Sequence, residues 1–253
     1  MKIVIIGGTG LIGRPLGALL EAKGHQVVVA SPSRGIDALT GEGLDHAMAD
    51  ASVVIDVSNA PSFEDAAALA FFRGTTTNLL EAARNAGVRH FIALSVVGTD
   101  RLQASGYFRA KLVQEQLIAA GGVPYTIVRA TQFFEFLPTI ADGYTREGAV
   151  HVPTIAFQPI AAADVSALLA EIATSSPVAG IVEVAGPERA PLAEFAANWL
   201  GAHDDPRLIH VTADGNYFGA PADDRTLVPD VGARLVPTRF ETWLETQTQE
   251  RAA

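Results

Sequence analysis

An α/β fold, a doubly wound parallel sheet with a small C-terminal lobe, is predicted by three features of this 253-residue sequence. Ile3–Ile6 is an apolar run of strand length, rich in β-branched side chains, as a strand covered on both faces requires. The run ends in glycine, and Gly7, Gly10 and Gly13 set a G-x-x-G-x-x-G pattern into the start of an apolar helical repeat. Strand-like and helical stretches then alternate as far as Ala130, the signature of right-handed βαβ crossovers.

Glycines between a strand and a helix suit a dinucleotide. Gly7 permits the sharp turn out of the strand, and Gly10 lets the backbone approach a pyrophosphate with no Cβ in the way. Gly13 lets the helix lie close on the sheet, and the helix N-terminus offers unpaired N–H groups to the phosphate charge. Thr9, Leu11 and Ile12 complete this loop. Leu11, Ile12, Leu16, Leu19 and Leu20 recur at helical spacing, and Gly24 closes the helix.

Gln26–Ala30 reads as the second strand, and its end decides the cofactor. An NAD-selective site usually places Asp or Glu there to take the ribose hydroxyls. Here the chain reads Ser31-Pro32-Ser33-Arg34, with no acid before Asp37. Two hydroxyls and a guanidinium suit a 2′-phosphate, which arginine grips with two charge-assisted hydrogen bonds. Arg14 adds a second positive charge. The expected cofactor is therefore NADP (NADPH) in preference to NAD.

Gly35–Asp50 leaves room for only a few residues of third strand, near Ile36–Thr40. Ser52–Val57 is the next clear strand, and Ser58, Asn59 and Ala60 form the turn at its carboxyl end, where such loops border the ligand crevice. Residues 64–86 read as a long helix and His90–Ser95 as a strand. Tyr107 opens a helix that runs to Gly121-Gly122, and Tyr125–Arg129 is a further strand. Beyond Ala130 the regularity loosens. Thr131–Pro138 is an aromatic loop, Ala162–Thr174 and Pro191–Leu200 are helices, and Ile181–Ala185 is a strand. The tail from Ala202 is irregular until a helix near Arg239–Gln247. No repeat or linker divides the sequence, so residues 1–253 are read as one domain. Its part from about residue 131 on forms a substrate-binding lobe.

Composition narrows the function. The formal net charge of −10 lacks the clustered Lys and Arg of a nucleic-acid surface. Cysteine is absent, which removes disulfides, thiolate nucleophiles and Cys-ligated zinc, and the six histidines show no metal-ligand spacing. No apolar run reaches the roughly 18–20 residues of a membrane span. A strand beginning at residue 2 leaves no room for a signal peptide, so a cytoplasmic location is expected. The expected partner is a small-molecule substrate, with no nucleic acid and no membrane, in a monomer or homodimer.

Tyr107 and Lys111 stand four apart at the start of a helix and share a face. Hydride transfer at a carbonyl carbon needs a proton donor or acceptor for its oxygen. A tyrosine with its ordinary pKa near ~10 works poorly at neutral pH, and a neighbouring ammonium is expected to lower it. Ser95, ending its strand, is placed to bond the same substrate oxygen. Phe133, Phe134 and Phe136 follow a strand's carboxyl end and either wall a substrate pocket or seat the C-terminal lobe. Tyr217, with Asn216 and Phe218, is a further substrate candidate in the tail, and Asp164 reads as a structural acid.

The glycine pattern, Leu94-Ser95-x-x-Gly98 and Tyr107-x-x-x-Lys111 together resemble the short-chain dehydrogenase/reductase superfamily, a Rossmann-fold group. Ile127–Glu135 (IVRATQFFE), Arg14 and the short C-terminal lobe are similar to its atypical branch, the NmrA-like NAD(P)H-binding proteins. The resemblance covers about residues 1–200. It implies a Ser95–Tyr107–Lys111 triad, with Lys111 also holding the nicotinamide ribose. No asparagine stands where the superfamily's fourth catalytic member is expected, and the Ser95-to-Tyr107 spacing is slightly short. The implied activity is NADPH-dependent reduction of a small carbonyl, quinone or enone. The alternatives are a cofactor-binding redox sensor without turnover and, less favoured, a sugar-type epimerase or dehydratase.

Overall fold

The computed structural model describes residues 1–252. β1 (Lys2–Ile6), β2 (Gln26–Ala30), β3 (Val53–Asp56), β4 (His90–Val96) and β5 (Tyr125–Ala130) form a parallel sheet with Gly180–Ala185 and Arg234–Leu235. The strand order is Arg234–Leu235, Gly180–Ala185, β5, β4, β3, β1, β2. This is a Rossmann-like fold. Its helices are α1 (Gly13–Ala22), α2 (Leu44–Met48), α3 (Asp65–Asn85) and α4 (Gly106–Ala120), followed in the second half by Ala162–Ile172 and Leu192–Ala202.

Alternation along the strands explains the two cores. Ile3 and Ile5 of β1 pack with Ile55, Ile92, Val128 and the apolar sides of α1 and Ala162–Ile172. Val4 and Ile6 point the other way, with Val54, Phe91, Ala93 and Ile127 against α2, α3 and α4. A continuous apolar run is what a strand needs when both of its faces are covered. Register aligns the carboxyl ends. Ile6 pairs with Ala30 and with Asp56, and Asp56 pairs with Ala93. The glycine loop, Ser31 and Val57-Ser58 therefore leave the sheet at one level.

Three expectations are corrected. No strand forms near Ile36–Thr40, where Pro32–Arg34 is a 3₁₀ turn closed by Gly35 in the left-handed region and followed by loop up to α2. The aromatic loop is in part helical, with a 3₁₀ turn at Phe134–Phe136 and a helix at Leu137–Gly143. The tail is not wholly irregular. Ile209–Thr212 pairs in parallel with Ala149–Pro153, and Arg234–Leu235 extends the main sheet. Asp164 is structural, accepting from the Thr238 N–H at 3.1 Å. Among the described residues, no helix is long and apolar enough to cross a membrane.

Candidate active site

The glycine loop is built for close backbone approach. Gly7 adopts φ +76°, and a Cβ there would lie 3.0 Å from the Ser58 backbone. A Cβ on Gly13 would lie 2.4 Å from the Gly7 carbonyl, so only glycine brings α1 this near the loop. The loop is fixed by Gly7 N–H donating to Ala30 O (3.1 Å) and Gly10 N–H to Gly7 O (3.0 Å). No side chain caps the N-terminus of α1, which leaves that end of the helix open to phosphate oxygens. Thr9, Gly10, Leu11 and Arg14 are exposed around it. Ile12 is buried in the core, so it has only backbone to offer a ligand. A cradle that side chains would fill, beside an uncapped helix, fits a pyrophosphate.

At the end of β2, Ser31 is buried and shares a hydrogen bond of 2.9 Å with the hydroxyl of exposed Ser33. Arg34 is exposed and pairs with no carboxylate among the described residues. Arg14 lies on the loop, its guanidinium donating to Thr9 O at 3.5 Å. Two guanidiniums with no carboxylate partner among the described residues suit an anionic ligand here.

Tyr107 is carried to the carboxyl ends of β3 and β4 by a close helix crossing. Gly106 admits the first turn of α3, where a Cβ would collide with Asp65, and Arg109 pairs with that aspartate at 2.5 Å. The Tyr107 hydroxyl donates to Asn59 Oδ1 at 3.1 Å, and its ring meets Phe63, Phe72 and Phe108 edge-on. Burial pushes the phenol above its ordinary pKa, and no charge from Lys111 offsets this. The expected lowering is thus absent. Tyr107 is therefore a neutral donor throughout the physiological range.

Lys111 is buried and faces inward. Its ammonium donates to Leu94 O (2.9 Å) and to Gln114 Oε1, and lies 4.5 Å from the centre of the Phe72 ring. Gln114 passes the contact on, donating to Asp56 Oδ2 at 3.0 Å. Asp56, at the end of β3, also accepts from the Ser58 backbone N–H (3.0 Å) and hydroxyl (2.6 Å). Burial pushes the Asp56 carboxyl up and draws the Lys111 ammonium down to about 8, against the pull of Asp56 and Glu115.

A stability signature follows from Lys111. Between about pH 8 and the ~10.4 of an unfolded lysine, the unfolded chain holds a proton that the folded chain has lost, so stability rises with pH across that window. Denaturant melts of the native protein should gain roughly 3 kcal/mol from this group as the window is crossed, and Lys111→Met should lose that slope. A native profile that is flat there would show that the ammonium is not held in a dry site.

Ser95 is placed differently from the expectation. Its hydroxyl donates to Glu115 Oε1 at 2.5 Å, and Glu115 is gripped by Arg129 at 3.0 and 2.7 Å. No hydrogen bond joins Ser95 to Tyr107 or Lys111 among the described residues, so the three do not form one connected triad here. Phe134 is fully buried against Phe240 and Trp243, which makes it core rather than pocket wall. Phe133 and Phe136 stack at 5.4 Å, with Phe136 well exposed. Tyr217 is buried in the lobe, yet its phenol feels the hydroxyls of Tyr144 and Tyr107, which brings the tail near the catalytic tyrosine candidate. Asp56, Gln114, Glu115 and Arg129 were not singled out from the sequence. The signal was a lone acid ending an apolar strand, with polar residues three and four places after Lys111.

Comparison with known proteins settles the family. A family model described as NAD(P)H-binding matches residues 7–176. The chain belongs to that family. It is an atypical short-chain dehydrogenase/reductase of the NmrA-like kind. Among curated family relatives, the (4-alkanoyl-5-oxo-2,5-dihydrofuran-3-yl)methyl phosphate reductase of Streptomyces griseus is 28% identical over 161 residues, covering 58% of this chain and 54% of that protein. The chloroplastic divinyl chlorophyllide a 8-vinyl-reductase of Oryza sativa is 30% identical over 250 residues, covering 83% of this chain and 60% of that one. The chain thus spans little more than half the length of these relatives. In fold it resembles the dTDP-4-dehydrorhamnose reductase of Bacillus anthracis solved with NADP, with a TM-score of 0.73, 17% identity and 98% of each chain covered.

Proposed function

We propose that this NAD(P)H-binding, reductase-type chain is an NADPH-dependent reductase of a small conjugated carbonyl compound, an enone or quinone, with Tyr107 as proton donor. One observation carries the reading. The neutral Tyr107 phenol stands at the carboxyl ends of the strands, bonded to Asn59, between the glycine cradle and the aromatic tail. The two curated relatives described above are reductases by name, one of a vinyl group and one of an alkanoyl-substituted dihydrofuranone, in which the ring alkene is conjugated to a carbonyl. They favour an activated alkene over a simple carbonyl.

In this reading the loop from Gly7 to Gly13 and the start of α1 hold the pyrophosphate. Ser33, Arg34 and Arg14 hold the 2′-phosphate, with Ser31 buttressing Ser33. Ser58, Asn59 and Ala60 border the nicotinamide ribose. When bound, the reduced nicotinamide supplies a hydride. Tyr107 gives its proton to the substrate as that negative charge arrives, and its raised pKa keeps the proton in place until then. Lys111 acts from behind, holding Leu94 and Gln114 in place beneath the ribose side. Phe133, Phe136 and Tyr217 line the substrate side, drawn from the part of the chain after residue 131.

The cofactor arm is tested by titration with NADPH and NADH. The native protein should prefer the phosphorylated form, and Arg34→Ala should lose about tenfold to hundredfold in NADPH affinity, the roughly 1.5–3 kcal/mol of a charge-assisted contact. Equal binding of both cofactors by the native protein would refute this assignment. A second reading, a cofactor-bound redox sensor without turnover, is favoured by one feature. Lys111 spends its donors on Leu94 and Gln114, not on Tyr107.

A further inference from the structure

Asp56 ends β3 at 1% exposure, and the proposed reaction gives it no task. Both of its oxygens are nevertheless occupied, each by a different part of the site. Oδ1 accepts from the Ser58 backbone N–H at 3.0 Å and from the Ser58 hydroxyl at 2.6 Å. Oδ2 accepts from Gln114 Nε2 at 3.0 Å. Each arm leads to a candidate catalytic side chain. Beyond Ser58, Asn59 Oδ1 takes the Tyr107 hydroxyl at 3.1 Å and is itself held by the Ala60 N–H at 3.0 Å. Beyond Gln114, the amide Oε1 takes the Lys111 ammonium, which also donates to Leu94 O at 2.9 Å. Tyr107 and Lys111 do not bond one another, yet both chains of contacts meet at Asp56.

Donor and acceptor chemistry explains why this position holds a carboxyl. An ammonium can only donate, so Gln114 must face Lys111 with its oxygen, and its nitrogen is left for residue 56. The Ser58 backbone N–H is also only a donor. Residue 56 must therefore accept on both sides at once. An aspartate has two acceptor oxygens, whereas an asparagine has one. The rest of the strand, Val53-Val54-Ile55, is apolar and buried, and a buried carboxyl is costly unless it is fully hydrogen-bonded. Burial accordingly pushes the Asp56 carboxyl up, against its bonds to Ser58 and Gln114.

We infer that Asp56 is a positioning residue, which holds the Ser58-Asn59 turn and the Gln114–Lys111 pair in one frame and so sets where the Tyr107 hydroxyl stands. The inference rests on the reading of Tyr107 as proton donor. Coupling between Tyr107 and Lys111 then runs through the end of β3 rather than along their own helix.

Two readouts test this, one of them independent of turnover. Lysine labelled at its ε-carbon reports each ammonium by NMR as the pH rises, and Lys111→Met identifies the Lys111 signal. Native Lys111 should titrate at about 8, with Asp56 and Glu115 the charges that favour its ammonium. Asp56→Asn keeps the shape and removes one of those charges, so the midpoint should move lower. An unchanged midpoint overturns the inference. So does a rise toward the ~10.4 of a lysine in water, which would mean that the site had merely opened.

In turnover of cyclohexenone or menadione with NADPH, Asp56→Asn should lower kcat and kcat/KM together by about tenfold to a hundredfold, as for an arrangement needed in the transition state. A native kcat, or a loss confined to KM, overturns the inference and leaves the Tyr107 reading standing. Gln114→Met keeps Asp56 and cuts only the Lys111 arm, so it serves if Asp56→Asn does not fold. It should lower kcat by a similar factor, and a native kcat there would again overturn the inference. A native protein that consumes no NADPH with any conjugated compound overturns the Tyr107 reading and the inference together.

Discussion

Gly10→Val should give a folded chain that binds no dinucleotide. Gly10 is exposed at the tip of the loop, and a Cβ there would meet only the Gly7 carbonyl, at 3.3 Å. Valine therefore fits the protein itself, and its melting temperature should stay close to native, as for most surface substitutions, within about 0.5 kcal/mol. The branched methyls would stand over the uncapped start of α1, in the space a pyrophosphate needs, and NADPH affinity should fall by at least about a hundredfold. Gly13→Ala is the contrasting case. Its Cβ would press on the backbone of Gly7 and Gly8 at 2.4–2.5 Å, so that variant should lose stability as well as binding. Undiminished NADPH binding by Gly10→Val would mean that the loop holds no phosphate.

The second large effect is on turnover. Tyr107→Phe removes one oxygen and keeps the ring against Phe63, Phe72 and Phe108. Cofactor affinity should be nearly unchanged, while turnover falls by about the 10²–10⁴ of a lost acid–base group. The hydroxyl's partner, Asn59, is exposed and can turn to water, so no buried acceptor is stranded. A Tyr107→Phe enzyme that reduces substrate at the native rate would place the proton donor elsewhere.

Much of the fold was legible because its strands are buried on both faces. Ile3–Ile6 and Val53–Val54-Ile55 are continuous apolar runs, and a run of that length, followed by glycines and a helical repeat, admits few other arrangements. The segment near Ile36–Thr40 misled for the opposite reason. Its few apolar residues pack on the α2–α3 side through Ala38 and Ile36 without joining the ladder. The parallel pair Ala149–Pro153 and Ile209–Thr212 was invisible, since 55 or more residues separate the partners.

The site was legible where chemistry needs a residue type at a spacing, as in the glycine loop and Tyr107-x-x-x-Lys111. It was obscure where rotamers decide. Shared helix face did not make Tyr107 and Lys111 neighbours in charge, because Phe72 lies against both. Strand-end position did not free Ser95, because Glu115 takes its hydroxyl. Nor does an aromatic run reveal that Phe134 is core while Phe136 is exposed.

Reduction itself is the central claim, and NADPH consumption by the native protein tests it most directly. Offered a panel of small enones, quinones and simple carbonyls, the protein should oxidise NADPH with at least one conjugated compound, one cofactor per reduced bond, and should do so far faster than with NADH. Tight NADPH binding with no consumption across the whole panel would contradict the account and leave the cofactor-bound sensor as the reading.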